Sequence, residues 1–319
     1  MGTDGNEVTV KGFNEDLRDR LEEFKDTDGM TLGSIAKQIG TNEAAISRYL
    51  DGHPLGDVAK LEARIADFLA SAARRRAWGE LFFETKAVEM CNLAFDLIRE
   101  SGDVGLVHGP AGIGKSTTCK QYAKTHPTAI FFTAMQGQGA DWNVIRMISD
   151  ALPPPRSDED KRLKKADWVM KKLRGSRRLV IIDNAQRISL AGLRWLMDFN
   201  DSTACPVALV GNPEVLDKIK HSDQMSSRVG FKQDIADMMK MNGAWINAAA
   251  DKMVAAMWPE AASEIRSLSH EAARRTGYLR TLNKQLRIAM RLCESESYRG
   301  RYGKAFSDAR SLIGAGEED

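Results

Sequence analysis

The segment Gly109-Pro110-Ala111-Gly112-Ile113-Gly114-Lys115-Ser116 sets three glycines, a lysine and a hydroxyl in the spacing G-x-x-x-x-G-K-S. Glycine lets successive backbone N–H groups curl around phosphate oxygens, and a helix start behind them adds partial positive charge. Lys115 is predicted to reach the β- and γ-phosphates of a bound ATP. Ser116 is predicted to hold Mg²⁺, and Thr117 completes the set around the phosphates. This chemistry needs a strand before the loop and a helix after it. The sequence offers both: an apolar run at Val104–Val107 and a helical pattern over about 115–125.

A second constellation is Arg178-Leu-Val-Ile-Ile-Asp183-Asn184. The apolar run predicts a buried strand with Asp183 at its exposed end, where a carboxylate binds Mg²⁺ through water. Asn184 follows. An amide orients water but accepts no proton at neutral pH, which favours nucleotide binding over fast hydrolysis. Three further residues are candidates for the site, two of them with two readings each. Asn212, at the tip of the run Val207–Val210, is either a sensor touching the γ-phosphate or an ordinary Asn-Pro turn. Arg228 is either an arginine finger for a neighbouring subunit or a surface arginine in a local ion pair. Arg280 starts a helix that folds back onto the phosphates as a second sensor.

The elements that must carry these residues alternate. Apolar runs at Val104–Val107, Ala129–Thr133, Leu179–Ile182 and Val207–Val210 are separated by helical patterns at about 115–125, 142–151, 160–174 and 189–200. That predicts an α/β fold with a parallel sheet flanked by helices. No strand signal remains after about residue 233, and a helical lid is expected to follow. Upstream, Ile35, Ala36 and Ile39 share a helix face, Gly40 marks a tight turn, and Asn42 is placed to cap the next helix. In that helix Ile46, Tyr49 and Leu50 face inward, which is helix-turn-helix spacing. Another amphipathic helix is expected over 57–72, then a basic joint at Arg74–Arg76. The expected domains are 1–76, helix-turn-helix; 77–232, P-loop core; 233–297, helical lid; and 298–319, tail, with a frayed GAGEED end.

Bulk composition permits this plan. The 319 residues are 43% hydrophobic and 28% charged, with a net charge of +2. Such a balance by itself points to no partner. The four cysteines, at 91, 119, 205 and 293, form no C-x-x-C pair, which argues against zinc knuckles and disulfides. The first residues lack a secretory apolar core, and no stretch approaches the ~20 apolar residues that span a bilayer. A soluble, cytoplasmic chain with no membrane partner is the expectation.

Taken together, GPAGIGKS, LVIIDNAQRI, LVGNPEV, SSRV and GYLRTLNKQLRIA occur in the order found in AAA+ ATPases. With LFFET before the core and a helix-turn-helix at the N-terminus, the chain resembles the target-DNA-selecting transposition ATPases of that superfamily over nearly its whole length. The resemblance implies an AAA+ core and an ATP-dependent oligomer or filament on double-stranded DNA of any sequence. It also implies that this DNA is delivered to a transposase. Asn184 departs from the family pattern, which places Glu there.

Three surfaces are candidates for DNA. Lys161, Arg162, Lys164, Lys165, Lys171, Lys172, Arg174, Arg177 and Arg178 crowd the stretch before the second constellation. A second series is Arg274, Arg275, Lys284, Arg287 and Arg291. In the helix-turn-helix, Ser47 and Arg48 lie near the base-reading end, although such units also dock proteins. Two other functions stay open on sequence alone: a helicase-loader-like AAA+ ATPase, and a transcription regulator gated by nucleotide.

Overall fold

A computed structural model describes residues 13–54, 56–137, 139–155, 164–237 and 243–313. The chain divides into two compact units after Leu81.

The first unit contains helices α1 (Glu15–Asp28), α2 (Leu32–Ile39), α3 (Glu43–Leu50) and α4 (Val58–Glu80). Their apolar faces meet in one core built on Leu17, Leu21, Ile35, Ala36, Ile39, Ile46, Tyr49, Ile65, Phe68 and Leu69. Gly40 ends α2 at φ 74°, its N–H donating to the Ala36 carbonyl. Asn42 then starts α3 by accepting from the Ala45 N–H at 2.8 Å. The buried Tyr49 hydroxyl donates to the Asn14 carbonyl at 3.2 Å, so its polar end is satisfied. The expected joint at Arg74–Arg76 does not break the chain. Those arginines lie inside α4, where Arg74 bonds Ser71 and Arg76 pairs with Asp28. Long unbranched side chains favour helix, so a basic cluster alone does not end one.

The second unit is built on five parallel strands in the order β2-β3-β4-β1-β5. They are β1 (Val104–His108), β2 (Ile130–Thr133), β3 (Val180–Asp183), β4 (Val207–Gly211) and β5 (Val229–Asp234). Alternate side chains divide the sheet into two faces. Val104, Leu106, Val180, Ile182, Val207 and Leu209 enter one core, with α7 (Asp141–Asp150), α8 (Lys165–Leu173) and α9 (Leu190–Thr203). Val107, Ile181, Ala208 and Val210 enter the other, with α5 (Lys86–Ser101) and α6 (Lys115–Thr125). Short helices α10 (Glu214–Lys220) and α11 (Asp223–Arg228) lead into β5.

β5 is absent from the sequence-based expectation, which places the core boundary at 232, inside this strand. Its sequence, VGFKQD, is half polar, as befits an edge strand with one buried residue. The helical region then forms α12 (Ala244–Met257), α13 (Ala262–Arg274), α14 (Tyr278–Leu292) and α15 (Tyr302–Leu312). The expected tail from 298 contains α15, whose Ala305, Phe306 and Ala309 are fully buried or nearly so. Buried Gln285 in α14 donates to the Phe306 carbonyl at 2.8 Å, fastening α15 to the lid. Among the described residues no helix is long and apolar enough to cross a membrane. Lys161, Arg162, Met238, Met239 and the GAGEED end lie outside the described residues.

Asn42→Ala removes the cap of α3 and is expected to cost about 1 kcal/mol. Amide exchange along α3 should quicken accordingly, with the second unit unaffected.

Candidate nucleotide site

The loop between β1 and α6 is shaped by Gly112 at φ 92° and Gly114 at φ 110°, backbone conformations that side-chain-bearing residues rarely adopt. Gly114 stands at the N-cap of α6, so the first amides of that helix face the loop with no side-chain acceptor on them. Lys115 is almost fully buried. Its Nζ donates to the carbonyls of Gly109 at 2.7 Å and Pro110 at 2.8 Å. Burial lowers its pKa below that of an ordinary lysine. The Arg280 charge pushes the same way, against the opposing pull of Asp183. Burial raises the buried Cys91, to about 12, and Cys119, so they are neutral packing groups under the loop.

The sheet order brings the second constellation to the same place. β4 lies between β1 and β3, and the register sets His108 beside Gly211 and Asp183 beside Val210. Buried Asp183 therefore reaches across, and its Oδ1 accepts from Ser116 Oγ at 3.0 Å. A serine hydroxyl and a carboxylate are hard oxygen donors. They suit a Mg²⁺ ion that keeps waters and takes its remaining ligands from phosphates. Among the described residues no group of three or more His, Cys, Asp or Glu is placed to hold a metal ion. Ser116 and Asp183 are the side chains that would hold Mg²⁺ beside a nucleotide.

Asn184 sits at φ 57°, ψ 38°, the left-handed region, and opens a 3-10 turn at Ala185–Arg187. Asn is among the few residues tolerated there, whereas Glu carries the usual steric penalty. The local backbone thus gives a physical reason for the amide at this position.

Asn212 directly follows β4, between the two phosphate-binding motifs in space. Its side-chain oxygen is buried without a hydrogen bond. Arg280 is exposed in the first turn of α14. The start of that helix packs on the loop so closely that a Cβ on Gly112 would collide with the Gly277 carbonyl. The lid and the loop therefore meet through glycine backbone. Arg228 points elsewhere: it pairs with Asp198 at 2.9 Å and Asp201 at 3.3 Å, both on α9. β5 begins directly after it.

The DNA candidates are dispersed. Lys164, Lys165, Lys171, Lys172, Arg174 and Arg177 are exposed around α8, which Trp168, Val169 and Leu173 anchor to the core. Lys165 approaches Asp150 at 4.0 Å, and Arg178 donates to the Thr128 carbonyl at 2.6 Å. Arg275 and Arg291 bind Glu271 and Glu294 of their own lid. In the first unit Arg48 is exposed. Ser47 is half-buried, its hydroxyl 3.3 Å from Asp51.

Sequence reasoning missed Gln186, whose side-chain oxygen accepts from the Asn212 N–H at 3.3 Å. It also missed Lys218, whose Nζ donates to the carbonyls of Gln186 and, at 3.0 Å, Ile188. The only signal was proximity to Asp183 in LVIIDNAQRI.

A phosphate loop on β1, an acid on β3 and a polar strand tip between them define an AAA+ P-loop protein. The domain family described as AAA domain matches residues 98–219. Within AAA+ proteins the chain resembles the phage Mu transposition protein B. It is 24% identical to the ATP-dependent target DNA activator B of Escherichia phage Mu over 285 residues, 86% of this chain and 88% of that protein. The activator B of Escherichia phage D108 gives the same figures. The Mu-like prophage FluMu DNA transposition protein B of Haemophilus influenzae is 25% identical over 211 residues, 64% of this chain and 72% of that protein. A solved structure, NtrX of Brucella abortus in complex with ATP, matches 86% of this chain and 66% of that one. It does so at 11% identity and a TM-score of 0.41.

Lys115→Ala should abolish ATP binding, and Asp183→Ala should weaken it in Mg²⁺ while leaving Mg²⁺-free affinity nearly unchanged. Calorimetric titration checks both. Because burial lowers the Lys115 pKa, its charge is lost at a lower pH than in a free lysine. Bound phosphate favours the ammonium, so ATP affinity should decline as pH rises through the lowered value. Lys115→Arg, if it binds, should lack that decline.

Proposed function

We propose that this chain is an ATPase of DNA transposition that binds target DNA when loaded with ATP, assembles on it as an oligomer or filament, and delivers it to a transposase. The observation that carries the reading is the meeting of Ser116 and Asp183 at 3.0 Å behind the glycine loop, in a chain similar to two target DNA activators over 86% of its length. The relatives' printed names supply ATP dependence and target DNA, and the site supplies residues suited to ATP and Mg²⁺.

In this reading the loop amides and Lys115 hold the phosphates, and Ser116 and Asp183 hold Mg²⁺. Asn212 and Arg280 touch the γ-phosphate from the strand tip and from the lid. Hydrolysis is slow because Asn184 supplies no base. Arg228 leaves Asp198 and Asp201 to complete the site of a neighbouring subunit. The near-neutral chain has no overall basic field to hold DNA as a monomer, so stacked subunits must align the lysines around α8 into a continuous stripe. Ser47 and Arg48 add a contact from the first unit.

Two measurements test this. ATP should promote oligomers, and Arg228→Ala should weaken them while sparing ATP binding. An ATP-loaded protein that sediments as a monomer on long DNA contradicts the assembly. Binding to two unrelated duplexes should require a non-hydrolysable ATP analogue and fall steeply with salt, with a log–log slope near −0.9 per phosphate contact. Replacing Lys171 and Lys172 by Ala should weaken both duplexes equally and flatten the slope. A strong preference for one duplex would instead favour a transcription regulator.

A further inference from the structure

We infer that Gln186 is a positioning residue, holding Asn212 at the γ-phosphate end of β4, and that Lys218 fixes the turn from which Gln186 acts. The inference rests on the nucleotide reading above and assigns roles to two residues outside both phosphate-binding motifs.

The argument starts at Asn184. Its left-handed backbone bends the chain sharply after β3, and the 3-10 turn at Ala185–Arg187 carries Gln186 toward the neighbouring strand. There the Gln186 Oε1 accepts from the backbone N–H of Asn212 at 3.3 Å. The same oxygen lies over Gly211, where an added Cβ would stand 2.6 Å from it. Glycine at the end of β4 thus leaves the space that the carboxamide fills. The turn itself is held from the far side. Lys218, on α10, donates to the carbonyls of Gln186 and Ile188. α10 begins at Glu214, just beyond Asn212 and Pro213. The result is a closed ring: strand tip, helix, lysine, turn, glutamine and back to the strand tip.

Asn212 needs such external support. Its own side-chain oxygen is buried without a hydrogen bond, so that atom does not fix the residue. Its backbone is held by Gln186 on one side and by the Val215 N–H, which donates to the Asn212 carbonyl at 3.2 Å, on the other. A residue that distinguishes ATP from ADP must sit within tenths of an ångström of one phosphate. Loosening this ring should therefore damage γ-phosphate recognition and leave the other phosphates untouched.

The test compares affinities for a non-hydrolysable ATP analogue and for ADP, both with Mg²⁺, in the full chain. Gln186→Met keeps the length and removes the acceptor. Lys218→Met releases the turn from outside the site. Each should lower the ATP-over-ADP preference about 3- to 10-fold, the range one net hydrogen bond carries, with ADP affinity unchanged. Gly211→Ala should do the same by displacing the carboxamide. An unchanged preference in Gln186→Met and Lys218→Met overturns the inference. So does an equal fall in both affinities, which marks a purely structural role. Failure of the wild-type chain to bind either nucleotide overturns the parent reading and this one with it. Should Gln186→Met fail to fold, Lys218→Met still decides.

Discussion

A serine hydroxyl and a carboxylate 67 residues apart meet at 3.0 Å, and most of the second unit serves that meeting. Their strands are not neighbours: β4 separates β1 from β3. The two groups can meet only if the three strands end close to level, and the register supplies that condition, with His108 beside Gly211 and Asp183 beside Val210. Two apolar cores, one on each face, keep the strands from sliding, since a slip by one residue would exchange the faces.

Economy of bulk governs the contact between lid and loop. Gly112 and Gly277 approach through backbone, and the start of α14, with Arg280, is set against the phosphate cradle. The depressed pKa of Lys115 comes first from its burial, and the nearby Arg280 charge adds to it in the same direction. A buried lysine charge with a second cation nearby is costly until an anion joins it. In this way the site stores a demand for phosphate.

Much of this was legible in the sequence. The glycine loop, four strands, the Asn42 cap and a helix starting near Arg280 all follow from local rules: positive φ, apolar runs, capping side chains. What stayed hidden depends on contacts distant in sequence. β5 is an edge strand, and its polar run Lys232-Gln233-Asp234 resembles a loop. Arg74–Arg76 resemble a linker until Asp28 and Ser71 are seen to receive two of them. The partners of Arg228 sit 27 to 30 residues earlier, on α9. Gln186 and Lys218 fit no motif, since their roles arise from a neighbouring strand's N–H and from a turn's carbonyls. The lid is legible as helix, but α15 reads as a tail because its short apolar stripe means little until Gln285 and Phe306 are seen together.

The backbone at Asn184 also constrains how this chain can change. A left-handed residue admits Asn, Asp and Gly at low cost and resists longer side chains. Asn and Asp codons differ by a single base, whereas a Glu codon lies two bases away. The easiest acidic residue to acquire here is therefore the shorter one, whose carboxylate falls a methylene short of where a glutamate would reach. Recovering a full-length base would require the turn to relax first, so the geometry of one peptide unit ranks the routes open to the sequence.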